Sequence, residues 1–203
     1  KWIIKHFEFY DKKGINYSKS IFEVTSAVHP NEKGVAFELK SPNPNGIRYT
    51  TDGSEPILSS SSYTNPIVIT ENKTVKANYF EEGKAKSATI EQEFFINKST
   101  GKNIKLVNPP HENYSIGGSF TLVDGMRGNP SKYGRDWLGF WGKDMNATVD
   151  LGTTETISKI QINTLLGEGS WIYFPKEIHF LVSLDGENFK TIQTISQKEV
   201  AAK

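Results

Sequence analysis

Ile47–Ala77 reads IRYTTDGSEPILSSSSYTNPIVITENKTVKA, and this stretch decides the fold. Two runs of β-branched and aromatic residues, Ile47–Thr51 and Pro66–Thr70, flank the turn Asp52-Gly53-Ser54-Glu55-Pro56. A serine-rich loop follows the turn, and Thr74–Ala77 supplies a third short strand. Asp52-Gly53 is turn chemistry, because an aspartate carboxylate bonds the backbone ahead of it and glycine takes positive φ without a steric penalty. Asp52, Ser54 and Glu55 also present oxygens, but a calcium loop needs more donors at regular spacing, so a turn is the better reading. Tyr63 is expected to pack the edge of a sandwich.

The same texture extends on both sides. Val35-Ala36-Phe37-Glu38-Leu39 alternates with period two, and Ser41–Gly46 (SPNPNG) is a turn cluster. Ala85–Phe95 closes the unit, with Ala88, Ile90 and Phe94 as inward residues. Glu81-Glu82 is an adjacent acid pair, but it falls in the turn Phe80–Gly83 and reads as a solvated loop. Short strands at this spacing predict a β-sandwich, and residues 21–97 are assigned to a small immunoglobulin-like unit. This unit, and its T-D-G-S-E-P core above all, resembles the C-terminal domain of chitobiases and β-hexosaminidases. The resemblance implies a domain that travels with a sugar-cleaving enzyme and does no chemistry itself.

Residues 1–20 begin helix-like. Ile3, Ile4, Phe7 and Tyr10 fall at helical spacing, and Gly14 stands where a C-cap glycine would. The helix alone fits a surface element of the next unit. Gly14–Ser20 (GINYSKS) resembles the segment leaving the catalytic barrel of family 20 β-hexosaminidases, which implies an exit helix and linker over 1–20. The chain opens on Lys1, with no signal peptide, and is read as a piece of something longer.

Composition sets the frame. The chain has 203 residues, enough for one or two domains, with 36% hydrophobic and 23% charged residues, an ordinary water-soluble balance. Net charge is +1 without a dense basic block, which gives no reason to expect nucleic acid. No apolar run reaches the roughly 20 residues of a membrane span. There are no cysteines, which leans toward a bacterial source or a reducing compartment. Asn-x-Ser/Thr triplets at Asn16, Asn72, Asn97, Asn113 and Asn146 read as chance in a chain rich in Asn and Thr.

Beyond the polar linker Ser99–Asn103 a second unit begins. Its landmarks are Leu122-Val123-Asp124-Gly125, Trp137–Asp144 (WLGFWGKD), Ala147–Gly152 (ATVDLG) and Trp171–Pro175 (WIYFP), then Phe180–Phe189 (FLVSLDGENF). Ala147–Leu151 and Lys159–Thr164 read as alternating strands. Lys176–Val182 and Phe189–Ile195 read as a hairpin across Asp185–Asn188. No helix pattern is expected after Gly14. In order, these landmarks resemble the discoidin or coagulation-factor C-type domain, the family 32 carbohydrate-binding module of bacterial enzymes. That implies a jelly-roll sandwich over 98–203. The match covers 98–195, about the first two-thirds of such a module, so its sheet edges are expected to be open. The whole chain is thus read as mainly β: an N-terminal helix, an immunoglobulin-like sandwich and a partial discoidin-like jelly roll.

Catalytic chemistry finds no residues here. His6, His29, His111 and His179 lack metal spacing, and no nucleophile elbow or P-loop occurs. In the resembled hexosaminidases an Asp-Glu pair on the upstream barrel does the work, through substrate-assisted hydrolysis. This chain alone is therefore not expected to be an enzyme. Its functional candidates are aromatic, because a ring stacks on the C–H face of a sugar while polar neighbours bond the hydroxyls. Trp137 and Phe140 read as core. On a strand, Trp171 and Tyr173 share one face and Ile172 and Phe174 the other, so one pair is core. The outward pair is taken as Trp171 and Tyr173, with Trp141 and Arg135 completing a glycan site; packing of the whole Trp171–Pro175 run is the other reading. The resemblance further implies a structural calcium in the loop 123–133, with Asp124 and Asn129 as ligands; no other cofactor is required.

The expected function is that of an accessory region of an exported bacterial β-N-acetylhexosaminidase, in the periplasm, on the cell surface or secreted. It would combine a spacer with a module binding glycans that contain N-acetylhexosamine or galactose, tethered to its own upstream catalytic domain. The alternatives are a purely structural brace for the barrel, and adhesion to a protein or cell surface.

Overall fold

The computed structural model describes residues 6–7, 9–10, 12–18 and 20–198. The chain divides into two compact units, Lys1–Ile96 and Asn97–Lys203. It is mainly β, in agreement with the sequence reading.

The first unit carries β1 (Thr25–Asn31), β2 (Gly34–Lys40), β3 (Ile47–Thr50), β4 (Ser61–Ser62), β5 (Ile67–Ile69), β6 (Lys73–Glu81), β7 (Lys84–Ala85) and β8 (Ile90–Phe94). Strands β1, β2 and β5 form one antiparallel sheet in that order. In the second sheet β4, β3 and β6 are neighbours, and β7 and β8 both pair with β6. Alternation does the folding. Val35, Phe37 and Leu39 of β2 point into the core, with Ile69 of β5 beside them. Ile47, Val75, Ala77, Tyr79 and Phe94 answer from the other sheet. The rings of Phe37 and Phe94 meet edge to face at 5.1 Å, joining the two sheets.

Two details refine the sequence reading. Glu82 and Gly83, both at positive φ, form the hairpin turn between β6 and β7, which suits the right-handed twist of the strands. Ala88 is exposed, not inward, because residues 86–89 bulge from the ladder. Asn78 holds that bulge: its amide donates to Thr89 Oγ1 and its carbonyl accepts from the Ser87 hydroxyl, which itself accepts from the Tyr79 N–H. Asn78 is buried, and this network satisfies it.

Ahead of the sandwich, His6, Phe7, Phe9, Tyr10 and Lys12 are helical. Gly14 closes the helix at φ +62, and the Ile15 N–H donates to the Tyr10 carbonyl, a Schellman cap. Phe7 stacks on Tyr17 at 4.6 Å and touches Phe22, which packs on Tyr79. Ile3 and Ile4, also expected on this apolar face, lie outside the described residues.

In the second unit β9 (Asn103–Leu106) pairs with β10 (Ala147–Asp150), and β11 (Glu177–Val182) with β12 (Lys190–Ser196), all antiparallel. The Asp185 carboxylate organises the hairpin turn. It accepts from the Asn188 side chain, the Asn188 and Glu187 N–H groups and the Ser183 hydroxyl, which hold its pKa well below the ordinary range. Three expectations are corrected. Residues 159–164 run without regular strand pairing. Trp171–Pro175 is not a strand, because the glycine-flanked Glu168–Ser170 segment coils into a 3₁₀ turn and Trp171 follows in the left-handed region. Tyr133–Asp136 forms one turn of α-helix, too short to leave a periodic pattern. Among the described residues, twelve of the thirteen buried hydrophobic side chains lie in the first unit and only Val123 in the second.

Candidate functional site

Glycines bring two loops of the second unit together. The His111 N–H donates to the Gly139 carbonyl at 2.7 Å, the Gly139 N–H to Tyr114 at 3.1 Å, and the Ile116 N–H to Gly134 at 3.2 Å. A Cβ at Gly139 would stand 2.8 Å from Tyr114 Cβ, and one at Gly134 2.9 Å from the Asn113 carbonyl, so both close approaches require glycine. The result is an aromatic group. His111 lies 5.5 Å from the Trp141 ring and 5.9 Å from the Tyr114 ring. His111 Nδ1 accepts from the Asn113 N–H at 3.3 Å, so the neutral ring carries its proton on Nε2. Trp141 is 80% exposed.

The helical turn Tyr133–Asp136 belongs to the same region. Gly134 touches the 113–116 loop, and the Tyr133 hydroxyl lies 4.0 Å from where a Gly167 Cβ would stand. That places the Gly167–Ile172 turn beside it. Within this turn Gly167 and Ile172 exchange backbone hydrogen bonds, and Trp171 projects at φ +58 with 84% of its surface exposed. Tyr173 is 57% exposed, whereas Ile172 and Phe174 are partly covered. Arg135 Nε stands 3.8 Å from Asp136 Oδ1. Trp137 is tied inward: its indole N–H donates to the Asn129 carbonyl at 2.9 Å, and Gly128 lies beneath its ring. Phe140 is likewise partly covered.

Asp124 is buried at 7% exposure, and one of its carboxylate oxygens accepts from the Met126 N–H at 2.8 Å. Desolvation, aided by the nearby negative Asp136, pushes its pKa up to about 7. A buried carboxylate with an acidic neighbour fits one ligand of a divalent cation. Asn129 is otherwise engaged, since its side-chain oxygen accepts from the Ser131 N–H and its main-chain oxygen from Trp137. Among the described residues no group of three or more His, Cys, Asp or Glu side chains is arranged to hold a metal. Backbone carbonyls would have to supply most of the coordination.

In the first unit, Asp52 is consumed by its turn. Its Oδ1 accepts from the Ser54 hydroxyl at 2.6 Å and the Ser54 N–H at 3.0 Å, and these bonds lower its pKa. Glu55 pairs with Lys76 at 2.6 Å. A shallow cleft of about 300 Å³ beside them is lined by Asp52 itself together with Asn72, Lys73, Thr74 and Glu93.

The sequence reading missed His111, Tyr114 and Asp136. His111 lacks metal-ligand spacing, and its approach to Trp141 depends on a backbone bond to Gly139, 28 positions away, which no local pattern records. A family model described as Fn3 associated matches residues 37–94. The span opens on Phe37 and closes on Phe94, the two rings in contact across the core, and it supports an Fn3- or immunoglobulin-like β domain in the first unit. No curated protein matches the chain. Among the described residues no helix is long and apolar enough to cross a membrane.

Proposed function

We propose that this chain is the non-catalytic accessory region of an exported bacterial β-N-acetylhexosaminidase. The immunoglobulin-like unit acts as spacer. The second unit, read as discoidin-like, binds glycans containing N-acetylhexosamine or galactose. The observation that carries this reading is Trp171. A bulky residue in the left-handed region is strained, and this one gains no burial in return. Strain kept without packing points to a task at the surface, and an exposed indole suits the C–H face of a sugar ring. Trp141 beside His111 and Tyr114 offers a second stacking surface, with the His111 N–H and Arg135 as groups for sugar hydroxyls.

Such a site does not need to be tight. Tethered to a catalytic barrel, a weak binder raises the local substrate concentration for its neighbour. A structural calcium at Asp124 would neutralise its buried charge and stiffen the loop that precedes the Tyr133–Asp136 turn. The N-terminal helix is the natural connection to the upstream barrel.

Calorimetric titration and a glycan array test the reading directly. Binding to N-acetylglucosamine, N-acetylgalactosamine or galactose ligands, reduced in Trp171→Ala, is the expected result. A flat isotherm with every such ligand removes the reading and leaves a bracing or protein-adhesion role.

A further inference from the structure

We infer that Asn45-Gly46 is a spontaneous deamidation site that the folded first unit holds closed, so that conversion marks chains in which the turn ahead of β3 has opened. This is the only Asn-Gly pair in the sequence. Glycine is the successor that hinders its own amide nitrogen least, because it has no Cβ and rotates freely. In an open chain the Gly46 nitrogen attacks Cγ of Asn45. The N–Cγ bond forms, the Cγ–Nδ2 bond breaks, the backbone amide proton is lost and Nδ2 leaves as ammonia. Water then opens the five-membered ring at either carbonyl. One opening leaves aspartate; the other leaves isoaspartate, with the main chain rerouted through Cβ. The sum is one water consumed and one ammonia released.

The fold keeps these atoms apart. Pro44–Gly46 is a 3₁₀ turn in which the Gly46 N–H donates to the Asn43 carbonyl at 3.1 Å and the Ile47 N–H to the Pro44 carbonyl. Ring closure needs the 45–46 peptide turned so that its nitrogen faces Cγ, a rotation that the helical ψ of such a turn does not allow. Pro44 fixes φ at the first position of the turn. The Asn45 carbonyl accepts from Arg48 Nη1 at 3.2 Å, and Arg48 Nε donates to the Leu58 carbonyl at 3.1 Å. Gly46 cannot give way toward β6, since a Cβ on it would stand 2.5 Å from Tyr79 Cε2 and 2.9 Å from the Phe80 carbonyl oxygen. Tyr79 is itself buried, and its hydroxyl is hydrogen-bonded to the Asn43 side chain. Attack at Asn45 therefore requires the turn to lift off Tyr79 with the Asn43 bond broken, which is a local opening of the unit.

The product does not fit back. Isoaspartate lengthens the main chain by one carbon immediately ahead of Gly46. Ile47 follows at once, fully buried and paired with Tyr79 across β3 and β6. The longer chain must displace either Gly46 from the Tyr79 ring or Ile47 from the core, and close-packed interiors tolerate neither shift cheaply. Opening followed by conversion is therefore a one-way step, and the modified residue records that the first unit has been open.

Peptide mapping by mass spectrometry on the full 203-residue chain, incubated at mildly alkaline pH with and without urea, tests this. In urea Asn45 should convert faster than any other asparagine, to a mixture of aspartate and isoaspartate. In buffer alone its conversion should slow at least about tenfold. Native-state hydrogen exchange of the Gly46 amide gives the opening equilibrium independently, and the slowing should match it. Pro44→Gly frees the turn and should raise the rate in buffer about threefold or more while leaving the rate in urea unchanged. Equal rates with and without urea overturn the inference. So does an Asn45 that converts no faster in urea than other asparagines, a slowing unrelated to Gly46 exchange, or a Pro44→Gly rate in buffer equal to that of the parent chain. The exchange comparison uses the parent chain, so it decides the matter even if Pro44→Gly does not fold. No glycan enters the experiment, so its outcome is separate from that of the glycan reading.

Discussion

The Leu39 N–H of β2 donates to the phenol oxygen of Tyr63 at 3.0 Å, in the buried interior of the first unit. Tyr63 is itself pinned by its own N–H, which donates to the Ile47 carbonyl of β3. One side chain thus straps one sheet to the other, a larger role than the edge packing its sequence position suggests. Tyr63→Phe keeps the ring and removes the acceptor, leaving a buried donor unpaired. The expected cost is about 1–3 kcal/mol, read as a lower urea midpoint for the first unit at unchanged m-value.

Glu82 sits at φ +50 in the hairpin turn between β6 and β7 and is exposed. Its left-handed backbone carries a steric cost that glycine lacks and asparagine reduces. Glu82→Gly and Glu82→Asn should each stabilise the first unit by roughly 0.5–1 kcal/mol, seen as a raised melting temperature. A loss of stability in both would contradict this account of the turn.

Asp124 makes stability depend on pH. Its folded pKa is raised to about 7, so through the mildly acidic range the folded chain holds a proton that the unfolded chain has released. Stability contributed by the protonated form is therefore lost as pH rises toward 7, and the loss levels off above it. At 1.36 kcal/mol per unit the full swing is on the order of 4 kcal/mol. In chelator, the melting temperature of the second unit should fall between pH 5 and pH 8. Asp124→Asn keeps an acceptor for the Met126 N–H and should flatten the slope. Calcium should raise melting of the parent chain at pH 8 more than at pH 5, and leave Asp124→Asn unmoved.

Trp171 separates a site from a core. Being 84% exposed in a left-handed conformation, it contributes little packing and some strain. Trp171→Gly should hold or slightly raise the melting temperature while reducing glycan affinity. If the substitution instead unfolds the second unit, the side chain is a packing residue and the glycan reading loses its main support.

The hairpin β11–β12 and the core of the first unit were legible in the sequence, because alternation and Asp-Gly turns are local rules. Val35, Phe37 and Leu39 announce a buried face by themselves, and Asp185-Gly186 announces a turn. The same local rules make Trp171–Pro175 look like a strand, which it is not. Its composition favours extension, but the preceding Gly167-Glu168-Gly169 allows the chain to coil, and local propensity yields to that context. The outward bulge at Ala88 was equally hidden, since it depends on the contact of Asn78 with Ser87 and Thr89 across the strand pair.

By itself the sequence determined the core strands and tight turns of the first unit, the β11–β12 hairpin and that the chain is mainly β, since period-two burial and positive-φ glycines act over a few residues. Only the tertiary structure decided that Tyr63 bonds Leu39, that His111 meets Trp141, and that Phe37 meets Phe94. Each of these joins groups 24 or more positions apart. Chain topology sets such relations, and no window of local sequence contains them.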